Sequence, residues 1–251
     1  MQDRQYNVSR VEALRRQIAQ LDDCRRWEGA KPISSGCGPL DDILPEGGIR
    51  RGTLVEWLAK GEGSGAGTLA WLAGREASRP GGAIVVLDAR RDFCPPAAVR
   101  LGVEPENLIV VRAATAADTF WALDQALRCP AVAAVLAWPE AQNGKLDGRT
   151  LRRWQLAAEE SGTLGLLIRP AAVRHQPSWA DVRLLVEPLP GVGHVSNVPD
   201  PKRRRLRIHL LRCRGTADGR NVDVELDDET LSVHLVAQLA DPAPDRRLGC
   251  R

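Results

Sequence analysis

Thr53-Leu-Val-Glu-Trp-Leu58, Gly61-Glu-Gly-Ser-Gly-Ala-Gly67, and then Leu69, Leu72, Ala73 and Ala77 follow one another in the chain. The first is a short apolar run of strand length. The second alternates glycine with small or polar residues, as a loop does. The third repeats apolar residues at three-and-four spacing, the period of one helix face. A strand that passes through a glycine-rich turn into a helix opens a βαβ unit, and such a turn is where a phosphate loop would sit.

The same alternation continues toward the C-terminus. Ala83-Ile-Val-Val-Leu87, Leu108-Ile-Val-Val111, Val132-Ala-Ala-Val-Leu-Ala137 and Leu164-Gly-Leu-Leu-Ile168 are continuous apolar runs, as strands buried on both faces require. Between them, Asp118 is positioned to cap a helix carrying Phe120, Leu123 and Leu127. Leu151, Trp154, Gln155 and Ala158 mark another helix ending near Gly162. The expected fold is α/β, a mostly parallel sheet flanked by helices. Further on, Val182–Glu187, Arg205–Leu211 and Val222–Leu226 alternate partially and predict antiparallel C-terminal strands on the sheet edge.

Three segments complete the organisation. Residues 1–30 hold Val11, Leu14, Ile18 and Leu21 at helical spacing, an N-terminal amphipathic helical segment. It serves equally well as a helix packed on its own core or as a docking helix for a partner. Residues 31–240 form the core domain, in which Pro32–Gly52 is loop with one short helix around Leu40–Leu44, and Pro190–Pro201 is a turn-rich loop. Residues 241–251 read as a disordered tail.

Composition narrows the function classes. With 43% hydrophobic and 27% charged residues in 251, the chain can bury a full core without metal or disulfide staples. No stretch reaches the ~20 apolar residues of a membrane helix, and MQDRQYNVSR lacks a secretory core. The expected setting is cytoplasmic, with no membrane partner. A net charge of +3 is too small to announce nucleic-acid binding. Cys24, Cys37, Cys94, Cys129, Cys213 and Cys250 are scattered without C-x-x-C pairs, so no metal site is expected and the thiols read as reduced.

A working phosphate loop has the form G-x-x-x-x-G-K-[ST], in which the lysine neutralises phosphate charge and the hydroxyl holds magnesium. Two registers are available here. With Thr68 as the hydroxyl, Ala66 and Gly67 stand where glycine and lysine belong; with Gly67 as the second glycine, Thr68 replaces the lysine. Neither supplies the charge, and Lys60 precedes the loop. Gly61, Gly63, Ser64, Gly65, Gly67 and Thr68 therefore form a degenerate phosphate loop, either a weak anion site or a plain strand-to-helix turn.

The surrounding order of motifs resembles the RecA ATPase core. Ile33-Ser-Ser-Gly36, Leu40-Asp41, Gly47-Gly48 and Arg51-Gly-Thr-Leu-Val-Glu56 are similar to its start. Leu87-Asp-Ala89, Arg100-Leu-Gly-Val103 and Glu106-Asn-Leu108 are similar to the segment after its second core strand, and Ser178–Glu187 and Arg207–Arg214 to its later strands. The likeness implies a RecA-like P-loop NTPase core over about Ile33–Leu226. RecA-like ATPases carry a catalytic Glu after the Asp-Ala pair, where this chain has Arg90. They carry a metal-holding Asp at the end of the fourth strand, where this chain ends Leu136-Ala-Trp138. They carry a sensor Gln after the next strand, where this chain reads Ile168-Arg-Pro170. Phosphoryl transfer depends on positioned charge around the transferred phosphate, so no catalytic residue, cofactor or metal is expected.

Within RecA-like proteins the chain resembles the ImuA family. The helix Arg149–Ser161, the run Gly165–Arg174, and Leu211-Arg-Cys-Arg-Gly215 followed by Gly219-Arg220 and Val224-Glu-Leu226 carry that likeness. It implies a non-catalytic accessory protein of DNA-damage-induced (SOS) translesion synthesis. The implied partners are an ImuB-like Y-family protein and an error-prone C-family polymerase, with RecA and single-stranded DNA as further candidates. The alternatives are a DNA-dependent ATPase with an atypical loop and a regulator of RecA filaments. Candidate DNA or partner contacts are Arg174, the basic run Lys202, Arg203, Arg204 and Arg205, and Arg212 and Arg214, which stand where RecA-like filaments place basic residues toward a neighbouring nucleotide. The basic run reads equally as a solvated loop entering a strand.

Overall fold

The computed structural model describes residues 31–61, 63–140, 146–190, 203–213, 219–227, 229–230 and 232–236. The amphipathic segment 1–30, the loop 191–202 with Lys202, Arg214 and the tail 241–251 lie outside the described residues.

Nine strands form one sheet in the order β3-β2-β4-β5-β1-β6-β7-β8-β9. They are β1 (Leu54–Ala59), β2 (Ala83–Leu87), β3 (Leu108–Val111), β4 (Val132–Ala137), β5 (Leu164–Pro170), β6 (Val182–Leu189), β7 (Arg203–Cys213), β8 (Asn221–Asp227) and β9 (Val233–Leu235). The helices are α1 (Gly38–Asp41), α2 (Ala66–Ser78), α3 (Pro95–Arg100), α4 (Ala116–Leu127) and α5 (Gly148–Ser161).

The parallel core comprises β1 to β6. Its strands are apolar runs because both faces are covered. One face packs α2 over Val55, Trp57, Ile84, Leu136 and Leu166. The other packs α4 and α5 over Leu54, Val85, Val135 and Leu167, with Phe120 and Trp154 edge to face at 5.3 Å. The mostly parallel sheet flanked by helices, with antiparallel C-terminal strands, is as the sequence predicts.

Several details differ. β6 was expected in the antiparallel extension, yet it runs parallel to β1 and antiparallel only to β7. Its mean pattern resembles an edge strand because its later residues, Glu187 to Leu189, project beyond the core. The extension is β7, β8 and the short β9. Asp118 is not the cap of α4: Thr115 is, its hydroxyl accepting from the Asp118 amide at 3.1 Å and donating to the Asp118 carboxylate at 2.7 Å. That is a capping arrangement in which the carboxylate sits three residues inside the helix. α1 begins at Gly38 rather than Leu40, since Pro39 suits the first helical turn. Finally, β7 begins at Arg203, so the arginines of the basic run lie in a strand rather than in a loop.

Candidate functional site

The glycine-rich turn leaves the carboxyl end of β1, where α/β folds bind ligands. Gly61, Gly63 and Gly65 all have positive φ. Gly65, at φ +82°, is the last residue before α2 and no side chain caps the helix there. This settles the register differently from either sequence alternative. Gly65 is the glycine that enters the helix, so Ala66 and Gly67 follow it in the places of lysine and hydroxyl, and Thr68 lies one residue further on. Sequence alone did not mark the helix start because Gly61, Gly63, Gly65 and Gly67 alternate evenly.

Apolar groups crowd this turn. A Cβ on Gly65 would fall 2.5 Å from Cδ1 of Leu206, a buried β7 residue. Ser64 and Ala66 are buried. At the end of β4, Trp138 brings its ring to 3.9 Å from the point a Cβ would take on Gly67. Trp71 of α2 stacks on Phe93 at 5.5 Å. One cation reaches the loop from outside it: Arg204 Nη1 donates to the Gly63 carbonyl at 3.4 Å. Lys60 donates to Glu187 at 3.0 Å, and that pairing with Lys60 helps hold Glu187 below its ordinary pKa.

Asp88 directly follows β2. Its carboxylate accepts from the amides of Asp92 and Phe93 and from Arg112 Nε at 2.9 Å. Burial pushes its pKa up, but the Arg112 guanidinium and the two amides outweigh it and the net shift is downward. Asp88 is thus bound up in a turn. Arg90 faces Glu140 at 3.4 Å across the ends of β2 and β4.

The basic run is matched by an acidic strand. Arg203 lies 3.0 Å from Glu225, Arg205 lies 3.5 Å from Glu225, and Arg207 forms a two-pronged pair with Asp223 at 2.6 and 2.7 Å. The Arg207 guanidinium holds Asp223 below its ordinary pKa. These are cross-strand pairs, spaced by the two-residue period that turns Leu206 and Ile208 into the core. The arrangement sets Arg203, Arg205 and Arg207 against the acids of β8. Arg212 sits at the other end of β7, about 30 Å away at ~3.3 Å per residue, with its guanidinium donating to the Ser178 carbonyl at 2.8 Å. Arg174 is exposed on the turn Ala171–His175. The fold therefore gathers Arg204 with the glycine-rich turn and Arg212 with the 174–178 segment, and keeps the two groups apart.

One charged cluster escaped sequence reading. Glu56, in the middle of β1, is fully buried and accepts from Arg169 Nη1 and Arg183 Nε, both at 2.6 Å. Arg183 also donates to the carbonyls of Val173, Arg174 and Gln176. The triad ties the central strand to the segment that returns from β5 to β6. The only trace in the sequence is a charge within or at the end of each apolar run, Glu56, Arg169 and Arg183. Among the described residues no group of three or more His, Cys, Asp or Glu side chains could hold a metal ion, and no helix is long and apolar enough to cross a membrane.

Comparisons with known proteins agree with this architecture. The RecA N-terminal domain family matches residues 13–138. Protein ImuA of Caulobacter vibrioides is 30% identical over 228 residues, covering 83% of this chain and 90% of that protein. Protein RecA of Clostridium botulinum is 44% identical, but over only 78 residues, 31% of this chain and 22% of RecA. Among solved structures, the RadB recombinase superposes with a TM-score of 0.59 at 18% identity, covering 80% of this chain and 98% of that one, a likeness of fold. The ImuA match is far longer than the RecA N-terminal domain, and the chain belongs to the ImuA family, built on a RecA-like fold.

Proposed function

We propose that this protein is a non-catalytic accessory factor of DNA-damage-induced translesion synthesis, acting by binding an ImuB-like Y-family protein and an error-prone C-family polymerase at the nucleoid. The observation that carries the reading is the match to ImuA over nine-tenths of that protein's length. The phosphate-loop geometry supports it. A nucleotide's phosphates call for backbone amides, a lysine and a metal-binding hydroxyl. Here Ala66 and Gly67 follow the helix-entry glycine, and Leu206 and Trp138 line the turn. Electrostatic stabilisation of a transferred phosphoryl group is the largest catalytic term in such enzymes, and here Ala66 stands at the lysine position and Arg90 at the catalytic Glu position.

The test has two arms. Purified protein is assayed for ATP turnover with and without single-stranded DNA, and for capture of the ImuB-like protein, the polymerase and RecA. No turnover, with capture of the first two, is expected. DNA-stimulated turnover abolished by Thr68→Ala, with the thermal melt unchanged, would establish an atypical ATPase instead. Capture of RecA in preference to the polymerase proteins would establish a filament regulator.

A further inference from the structure

The outer face of the α4–α5 pair departs from ordinary helix design. α5 opens with Arg149, Arg152 and Arg153, has no acid in its first turn, and closes with Glu159 and Glu160. Both ends oppose the helix dipole, which favours acids at the start and bases at the end by about 0.3–1 kcal/mol per charge. Only the cap, Asp147, follows the rule. Local rules broken without a local gain mark functional surfaces.

Large apolar groups stand on the same face. Trp121 of α4 is 67% exposed, the most exposed large hydrophobic among the described residues. Leu156 of α5 is 42% exposed, and Trp179, 47% exposed, lies against the Arg152 guanidinium at 4.8 Å. Asp124, wedged between the two helices, takes Arg128 and Arg153 at 2.9 Å each. It fixes the helices side by side and removes its own charge from the face. Glu160 lies 3.9 Å from Arg128, at the far end of α5 from Arg149.

We infer that the α4–α5 face bearing Trp121, Leu156, Trp179, Arg149 and Arg152 is a docking site for an acidic amphipathic helix of a partner protein. Charge selects the occupant. The chain's own amphipathic segment carries Arg10, Arg15 and Arg16 against Glu12, Asp22 and Asp23, so it has no net negative charge to match the arginines. A second copy meeting this face with α5 antiparallel would bring Arg149 and Arg152 toward Glu159 and Glu160, but those acids already engage Gln155 and Arg128 within the chain. The acids of β8 are already matched by β7. A nucleic acid would stack on ring faces, but the Trp179 ring is covered by Arg152 and Leu156 offers no ring. Two parallel helices with exposed tryptophan and leucine between basic groups suit an apolar helix stripe flanked by carboxylates.

The inference rests on the accessory, partner-binding reading above and assigns it a surface. The test uses the full chain and three fluorescent probes: an amphipathic peptide of about 18 residues with leucines and one tryptophan at three-and-four spacing and glutamates elsewhere, its lysine counterpart, and an oligo-dT of about 20 nucleotides. Saturable binding of the glutamate peptide alone is expected. Trp121→Ala should weaken it about 30-fold, as loss of an interface hot spot does. Arg149→Glu should weaken it about tenfold, and Lys31→Glu, the same charge change on an exposed residue elsewhere, should leave it unchanged. All three positions are exposed, and unchanged thermal melts verify folding. Equal binding of both peptides, no saturation by the glutamate peptide, or oligo-dT binding lost in Trp121→Ala would overturn the assignment. Capture of the polymerase proteins that survives the Trp121→Ala/Arg149→Glu double variant would refute this surface while leaving the accessory role intact. Absence of capture by the unaltered protein would refute that role instead.

Discussion

Replacing Glu56 by glutamine is the most informative single perturbation of this fold. Its carboxylate is fully buried, and its two arginine partners keep only 3% and 9% of their side-chain surface exposed. Glu56→Gln preserves shape and removes one charge, leaving two guanidinium groups in the sheet with no carboxylate between them. Breaking a buried pair from one side costs about 3–5 kcal/mol, because an uncompensated charge remains buried. For a protein of this size each kcal/mol moves the midpoint by about 2–4 °C, so the melt should fall by about 6–20 °C. Removing all three charges, with Glu56→Met, Arg169→Leu and Arg183→Met, should recover most of that loss, since apolar replacement of whole buried triads is neutral or stabilising by ~1–4 kcal/mol. The recovery will be incomplete, because Arg183 also satisfies the carbonyls of Val173, Arg174 and Gln176. Urea unfolding followed by circular dichroism gives both free energies. A Glu56→Gln loss under about 1 kcal/mol, or a triple variant less stable than the single one, would refute the claim that the triad is a desolvated, mutually dependent unit.

Three further outcomes follow from the same geometry. Gly65→Ala must place a Cβ at positive φ and against Leu206, so it should cost about 2–4 kcal/mol by urea titration. The cost should shrink in a Leu206→Ala background, where the obstructing methyls are gone. Asp88 has its pKa lowered on folding, so its contribution is present above the unfolded value of about 3.9 and is lost as pH falls through the folded one. Arg112→Ala should raise that folded pKa and shift acid unfolding to higher pH, by only about 0.5–1 kcal/mol because Arg112 is half exposed. Burial pushes the Cys37 thiol up to about 12, whereas Cys94 is exposed. At pH 8 an alkylating reagent followed by mass spectrometry should therefore label Cys94 readily and Cys37 only through unfolding; equal rates would contradict the buried placement.

The parallel core was legible because its signal is repeated and local. Runs such as Ile84–Leu87 and Val132–Ala137 have no polar residue to suggest a solvated face, and each is followed by a helical period. The phosphate turn was legible in composition but not in register, since Gly61, Gly63, Gly65 and Gly67 are equivalent in sequence and only the start of α2 distinguishes Gly65. The pairing of Arg203, Arg205 and Arg207 was hidden because their partners, Asp223, Glu225 and Asp227, lie some twenty residues away across an antiparallel turn. The triad was hidden more deeply. Arg169 and Arg183 read as surface charges until β5 and β6 are placed on either side of β1, a neighbour relation set by topology.

These features bear on one another through β1. The strand that ends in the glycine-rich turn also holds Glu56, and through Arg183 it holds the carbonyls of the segment leading to Trp179. In an ATPase, charge change at a phosphate loop drives motion of such segments, because ordered loops collapse when the γ-phosphate leaves. Here Leu206 and Trp138 occupy the neighbourhood of the turn, and the charges of β1 are spent on an internal triad. On the accessory reading proposed above, the turn makes no differential contact with two nucleotide states, and such a site cannot shift a conformational equilibrium. The same fold is then better suited to presenting a fixed surface, and the face of α4 and α5, built on the opposite side of the sheet from α2, keeps its arginines and tryptophans exposed whatever happens at the turn.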